Sequence, residues 1–250
     1  MSTTKPHPVQ SEFFSTEAES ELEHVHKVYD QIALHFSETR YKGWPVVEEF
    51  LNSHPSGSLG GDIGCGNGKY LGYKKDIVML GSDRCENLIK VVNSKGHEGL
   101  IADNLKLPYR NNQFDFAISI AVIHHFSTPQ RRAEAIKEIL RTIRVGGDVL
   151  LYVWALEQKS RRKFDQNQQD VYVPWVMQSQ FETNKPSKAE ETKVNNEEKE
   201  EEKKPNKVYN RYYHLFKEGE LEELVNQVEN TEIVKSGYDR DNWYCIVKKN

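Results

Sequence analysis

Cysteine is scarce in this chain: three in 250 residues, at Cys65, Cys85 and Cys245. None stands in a C-x-x-C pair, which argues against a disulfide framework and against a zinc site built by this chain alone. A reducing compartment, cytoplasmic or also nuclear, is the expectation. No stretch approaches the ~18 apolar residues of a membrane span, and the opening MSTTKPHPVQSEFF has no apolar signal core, so no membrane association is expected. An excess of one charge is missing too. Lysine and arginine number 34 against 38 acids, a net charge of −4, which excludes a generally basic nucleic-acid binder and leaves room for a local basic patch. Apolar residues are thin for this length, at 37%.

The thinness has an address. From about Gln178 to Lys207 the sequence QSQFETNKPSKAEETKVNNEEKEEEKKPNK has almost no large apolar side chain and cannot bury enough surface to offset its ordering entropy. Disorder is expected there; a solvated helix of glutamate and lysine pairs is the alternative, against which Pro186 and Pro205 stand at the flanks. The organisation expected is a flexible tail over 1–16, a core over 17–160, an insertion over 161–207 that is largely disordered from about 178, and a last part over 208–250 that completes the same domain. Within the insertion, VYVPWV at 171–176 is an apolar island that either docks back near a site or meets a partner.

The rest alternates between helix and strand signals. Leu22, Val25, Tyr29, Ile32 and Phe36 recur at three- and four-residue steps, one apolar face of a helix, and Trp44-Pro45 opens a second short helix. Apolar runs at 59–64, 78–83, 99–103, 114–121 and 147–155 read as buried strands, with a helix over Gln130–Ile143 between the last two. The fold class that follows is α/β, a parallel sheet with helices on both faces. After EGELEELVNQVE, the segment TEIVKSGYDRDNWYCIVKK reads as two strands joined by a polar turn, an antiparallel hairpin at one sheet edge.

GGDIGCGNGKY, residues 60–70, concentrates glycine at Gly60, Gly61, Gly64, Gly66 and Gly68 behind one acid, Asp62. So much backbone freedom directly after a strand suits a loop that a ligand approaches closely. Ligands of such sheets bind beyond the carboxyl ends of the strands, and three acids sit there: Asp62 after the first strand, Asp83 after the second, Asp103 after the third. An acid about twenty residues beyond a glycine loop also suits a dinucleotide enzyme, so Asp83 by itself does not choose the ligand. The spacing G-x-G-x-G and the acid at the end of strand one do.

That pattern resembles class I S-adenosylmethionine-dependent methyltransferases. The resemblance implies a mostly parallel seven-stranded Rossmann-like sheet and S-adenosyl-L-methionine as cofactor. It places the cofactor against Asp62, Gly64, Gly66, Asp83, Asp103 and Ala121, with Arg40 on its carboxylate. No NPPY-like sequence is present for amino methylation and no cysteine lies near AISIAVIHHFST to attack a pyrimidine C5, which favours an oxygen acceptor. EHVHKVYDQIALHFSETRYKGWP, DIGCGNGKYLG, AISIAVIHHFST, YVWALEQ, QDVYVPWV and RYYHLFKEGELEEL with GYDRDNWY are similar to the family that methylates the carboxymethyl group of the tRNA wobble uridine, in its stand-alone fungal form. The resemblance implies tRNA as substrate. It also implies a small zinc-binding activator subunit that lengthens the sheet at the edge of strand three, EGLIADN, which carries little charge or proline to protect it.

A carboxylate is already ionised near neutrality, so positioning suffices and no general base is required. Candidate contacts to the acid are His124, Arg240, Asn242 and Tyr29, with at most one of His124 and His125 facing substrate. Trp154 and Trp243 are candidates to stack on the base. KSRRK supplies Lys159, Arg161, Arg162 and Lys163 for phosphates. Each has an ordinary reading as core, turn or solvated surface. Two other functions stay open at this point: a small-molecule O- or C-methyltransferase, and a non-catalytic scaffold of the same fold.

Overall fold

The computed structural model describes residues 5–8, 16–40, 42–159, 162–177 and 206–250. In chain order the elements are β1 (His7–Pro8), α1 (Glu17–Glu21), a π-helical segment (Leu22–His26), α2 (Lys27–Thr39), α3 (Pro45–Ser53), β2 (Leu59–Ile63), β3 (Val78–Asp83), α4 (Glu86–Ser94) and β4 (Gly99–Ile101). There follow β5 (Phe114–Ile120), a 3-10 turn (Ile123–His125), α5 (Pro129–Thr142), β6 (Ile143–Trp154), β7 (Asp170–Met177), β8 (Lys207–His214), α6 (Glu220–Val225), β9 (Thr231–Asp239) and β10 (Asn242–Lys249).

Seven strands form one sheet in the order β4-β3-β2-β5-β6-β10-β9. All neighbours from β4 to β6 are parallel, while β10 runs antiparallel to both β6 and β9. On one face, Val47, Phe50 and Leu51 of α3 and Ile89 and Val92 of α4 pack on Phe116, Ile118, Leu150 and Tyr152. On the other, Ile136, Ile139 and Leu140 of α5 with Leu221 and Leu224 of α6 cover Phe114, Val149, Leu151 and Val247. Phe114 and Phe116 are two apart yet face opposite layers. The β5–β6 register shifts between them: the β6 partner moves from Ile143 to Asp148, five residues against two, and this irregularity interrupts the regular alternation of sides.

One departure from the sequence reading, and one alternative that it left open, bear on the site. The helix expected from Leu22 onward starts with the π-helical segment; the wider turn rotates Leu22 off the apolar face, leaving it 39% exposed, while Val25, Val28 and Ile32 stay buried. The apolar island inside the presumed insertion docks back: β7 pairs along its whole length with β8 and, through Tyr172 and Val171, with His7 and Pro8. This second sheet lays Trp175 and Met177 on Val28 and Ile32 of α2. His214 of β8 locks it to α6 by hydrogen bonds to Asp170 (2.9 Å) and Glu220 (2.6 Å). The disorder expected from about residue 178, and its helical alternative, lie outside the described residues, as does most of the expected tail.

Candidate active site

A cavity of about 860 Å³ opens at the carboxyl ends of β2 to β5, between the sheet, α2 and β8. β2 delivers Asp62 and then the glycine loop, in which Gly64, Gly66 and Gly68 take φ of +83°, +56° and +71°. At Gly64 a side chain is excluded twice over, because an added Cβ would also overlap the Val122 side chain. Gly66 N–H donates to Asp83 Oδ2 (2.9 Å) and Cys85 N–H to Asp83 Oδ1 (2.8 Å), which fixes the acid of β3 against the loop. Burial pushes the Asp83 carboxyl up, and the backbone N–H groups of Cys85, Gly66 and Arg84 pull against that. Asp62 is 2% exposed and its Oδ2 has no hydrogen-bond partner. Burial raises its pKa to about 7, Lys69 pulling it down and Asp83 reinforcing the rise. Beyond β4, Asp103 accepts from Leu105 N–H (2.9 Å) and pairs with Arg84 (2.6 Å). Ala121, at φ +62°, turns the chain after β5; such strain in a non-glycine residue costs on the order of 1–3 kcal/mol and needs surrounding structure to hold it.

The opposite end of the cavity is basic and aromatic. Tyr29 O–H lies 3.0 Å from His125 Nε2 and 3.2 Å from Tyr213 O–H, and Arg211 Nη1 donates to Tyr213 O–H at 2.8 Å. His125 Nδ1 is 2.8 Å from the Tyr212 carbonyl, which can only accept, so that nitrogen carries the proton and Nε2 accepts from Tyr29. Burial lowers the His125 pKa to about 3, so the ring is neutral and both nitrogens are engaged. Tyr213 stacks on Trp154 with centroids 4.4 Å apart, and the Arg162 guanidinium sits 4.6 Å from the Trp154 ring. The β9–β10 turn completes this end. Arg240 and Asp241, both at positive φ, form a two-residue loop held by Lys159 N–H (2.7 Å) and Tyr238 O–H (2.9 Å) on Asp241 Oδ1 and by Asn242 Nδ2 on the Arg240 carbonyl (2.7 Å).

Of the residues singled out from sequence, Tyr29, Arg40, Asp62, Gly64, Gly66, Asp83, Asp103, Ala121, Trp154, Lys159, Arg162, Arg240 and Asn242 line this one cavity. His124 does not, which corrects its expected position; it is wholly buried behind its neighbour, accepting from Trp154 N–H at Nδ1 (3.1 Å), and His125 faces the cavity instead. Trp243 also stays out, its indole N–H donating to Glu157 (3.0 Å) and its ring edge-on to Tyr238. Lys163 is not among the lining residues, and Arg161 lies outside the described residues. Sequence reasoning missed Arg211 and Tyr213. The valine and three tyrosines of KVYNRYYH, an enrichment in β-branched and aromatic residues, were the available strand signal.

Residues 61–151 match the family model described as "Methyltransferase domain". A tRNA (carboxymethyluridine(34)-5-O)-methyltransferase of Schizosaccharomyces pombe is 52% identical over 236 residues, covering 94% of this chain and all of that one. The chain belongs to the tRNA (carboxymethyluridine(34)-5-O)-methyltransferase family. Another member, from Saccharomyces cerevisiae, is 42% identical over 93% of this chain and 98% of its own. Among solved structures, 1,6-didemethyltoxoflavin-N1-methyltransferase of Burkholderia thailandensis, with bound S-adenosylhomocysteine, shares the fold at a TM-score of 0.63 and 15% identity, covering 98% of this chain and 99% of that one. For the tRNA (carboxymethyluridine(34)-5-O)-methyltransferase family the arrangement has a plain reading: acids and glycines at one end of a shared cavity, guanidinium and aromatic groups at the other.

Proposed function

We propose that this protein methylates the carboxylate of 5-carboxymethyluridine at the wobble position of tRNA, giving the methyl ester, with S-adenosyl-L-methionine as methyl donor. One observation carries the reading: the cavity joins an acid end with a glycine loop to an arginine- and aromatic-lined end where His125 is neutral and has both ring nitrogens engaged.

The residues present fit the cofactor. The buried, unpartnered Asp62 Oδ2 is an acceptor suited to an ammonium group, the glycine loop lets a ligand lie against backbone, and Asp83 holds both oxygens at the rim with lone pairs left for ribose hydroxyls. Asp103 and Arg40 complete the set at the adenine and carboxylate ends. S-adenosylmethionine supplies an activated methyl group when bound. Everything else falls to the chain: Arg240 faces the acid, Asn242 holds the turn that carries it, Tyr29 shapes the wall through its hydrogen bond to His125, Trp154 with Tyr213 walls the base, and Lys159, Arg162 and Lys163 meet phosphates. A carboxylate of ordinary pKa, about 4, is ionised without help, so the engaged, neutral His125 is no obstacle to the reaction.

Nucleoside mass spectrometry is the direct test. tRNA bearing carboxymethyluridine, incubated with the protein and S-adenosylmethionine, is expected to yield the methyl ester; conversion absent with and without added activator would refute the reading. A tRNA substrate also implies loss of affinity with salt, at a slope of about −0.7 per phosphate contact, where a small neutral substrate gives almost none.

The activator subunit is proposed at the free side of β4. This strand is three residues long and exposes Leu100 (48%) and Ile101 (57%), an unprotected edge that invites another strand. Leu100→Lys with Ile101→Glu is expected to abolish co-purification with a small zinc-binding activator, and an intact complex would reject this placement. A cytoplasmic or also nuclear location belongs to the same reading, supported by Cys65, Cys85 and Cys245 all being free and buried.

A further inference from the structure

Among the described residues two arginines are almost fully buried, and they are treated differently. Arg132, 3% exposed, donates to the Phe126 carbonyl (2.9 Å) and has Glu220 at 4.0 Å, the usual way of offsetting the cost of a charge removed from water. Arg211, 2% exposed on β8, has no carboxylate within 4 Å among the described residues. Its guanidinium is instead surrounded by rings, 4.8 Å from Trp175, 5.2 Å from Tyr213 and 5.9 Å from Tyr29, and its Nε has no hydrogen-bond partner. It also lines the cavity.

The hydrogen bonds around it run one way. Arg211 can only donate and the Tyr212 carbonyl can only accept, so the chain reads Arg211 to Tyr213 to Tyr29 to His125 to Tyr212, with steps of 2.8, 3.2, 3.0 and 2.8 Å. Both hydroxyl hydrogens are consumed within it. Neither tyrosine nor His125 has a hydrogen left for a ligand, whereas Arg211 retains its Nε–H.

We propose that Arg211 is the specificity-determining residue that receives the substrate's carboxylate, the counter-ion missing from the folded chain, and thereby selects an anionic uridine side chain over a neutral one. This rests on the proposed function and names the group that reads the acid. Gripped by the guanidinium fork, the carboxylate keeps a free lone pair on each oxygen: a bond forms from one oxygen to the transferred methyl carbon, whose bond to the donor sulfur breaks, the electron pair staying on sulfur. No proton moves. The product ester is neutral, so the ion pair that held the substrate is gone and release is favoured by the reaction itself.

The test compares binding of anticodon stem-loops that carry carboxymethyluridine or its neutral carbamoylmethyl isostere to the full chain loaded with S-adenosylhomocysteine. The wild-type protein is expected to prefer the acid by about 30-fold or more, and Arg211→Gln to bring the two within about twofold while S-adenosylhomocysteine affinity stays unchanged. Arg211→Lys, which keeps the charge without the fork, is expected to retain part of the preference and to rescue the activity that Arg211→Gln loses, about 100-fold in kcat/KM. Equal wild-type binding of the two stem-loops overturns the proposal, as does an undiminished preference in Arg211→Gln. Failure of the function reading shows elsewhere, as a wild-type preference for the acid with no methyl ester formed. If Arg211→Gln does not fold, as judged by S-adenosylhomocysteine titration, the wild-type and Arg211→Lys comparison decides: a preference of equal size in both rejects the fork as the reader.

Discussion

S-adenosylmethionine is expected to bind this protein more tightly as pH rises, by about tenfold per pH unit below about pH 7, and then to level off. The cause is Asp62. Burial raises its carboxyl pKa to about 7, and an ammonium group seated against Oδ2 binds only the ionised form. Below pH 7 the ligand must first expel a proton, and that penalty grows with acidity. The free protein shows the reverse sign. Because the folded pKa lies above the unfolded one, the Asp62 contribution to stability is intact below about pH 4 and declines as pH rises through about 7. Asp62→Asn should therefore raise the melting temperature of the free protein at alkaline pH by a few degrees, lower the affinity for S-adenosylmethionine by about 100-fold or more at pH 8, and flatten its pH profile. Calorimetric titrations at three pH values check all of this; a wild-type profile flat from pH 5.5 to 8 contradicts the assignment of Asp62 to the ammonium.

Gly64→Ala should abolish measurable S-adenosylmethionine binding and destabilise the fold by about 3 kcal/mol or more, whereas Gly57→Ala should cost about 1 kcal/mol and leave binding alone. The two glycines take nearly the same positive φ, +83° and +84°, so the cost of a side chain at positive φ applies to both. Their surroundings separate them. Gly57, before β2 and away from the carboxyl ends, has open space around a new Cβ, while at Gly64 that Cβ overlaps Val122 on the strained turn after β5. Relief requires the glycine loop and the Ala121–Val122 turn to move apart, which pulls Gly66 N–H from Asp83. Denaturant melts and titration of the two variants check the contrast, and equal losses of binding would mean that strain rather than the clash is decisive.

The parallel half of the sheet and the acid end of the site were legible because their signals are local: a strand, an acid, a glycine loop. The second sheet was not. Pro174 sits in the middle of β7 and demotes it as a strand, yet β1 reaches only Tyr172 and Val171, so at Pro174 one side of the strand has no ladder to interrupt. Its partner β8 begins thirty residues further on in sequence, across the charge-rich stretch, and no periodicity announces a pairing at that distance. His124 and His125 are neighbours in a 3-10 turn, so which ring turns outward is decided by Trp154 N–H and the Tyr212 carbonyl, on other elements. Arg211 escaped notice for a related reason. An arginine in a polar strand looks ordinary until its acidic partners are sought in three dimensions and none is present among the described residues.

The hairpin turn at Arg240-Asp241 carries a lesson for anyone wishing to thermostabilise this enzyme. Asn-Gly would sit there with less torsional strain, but it would delete the guanidinium that reaches the cavity and the carboxylate that anchors Lys159 and Tyr238. The most accessible reserve of robustness lies under the reaction centre, and natural selection has left it unspent.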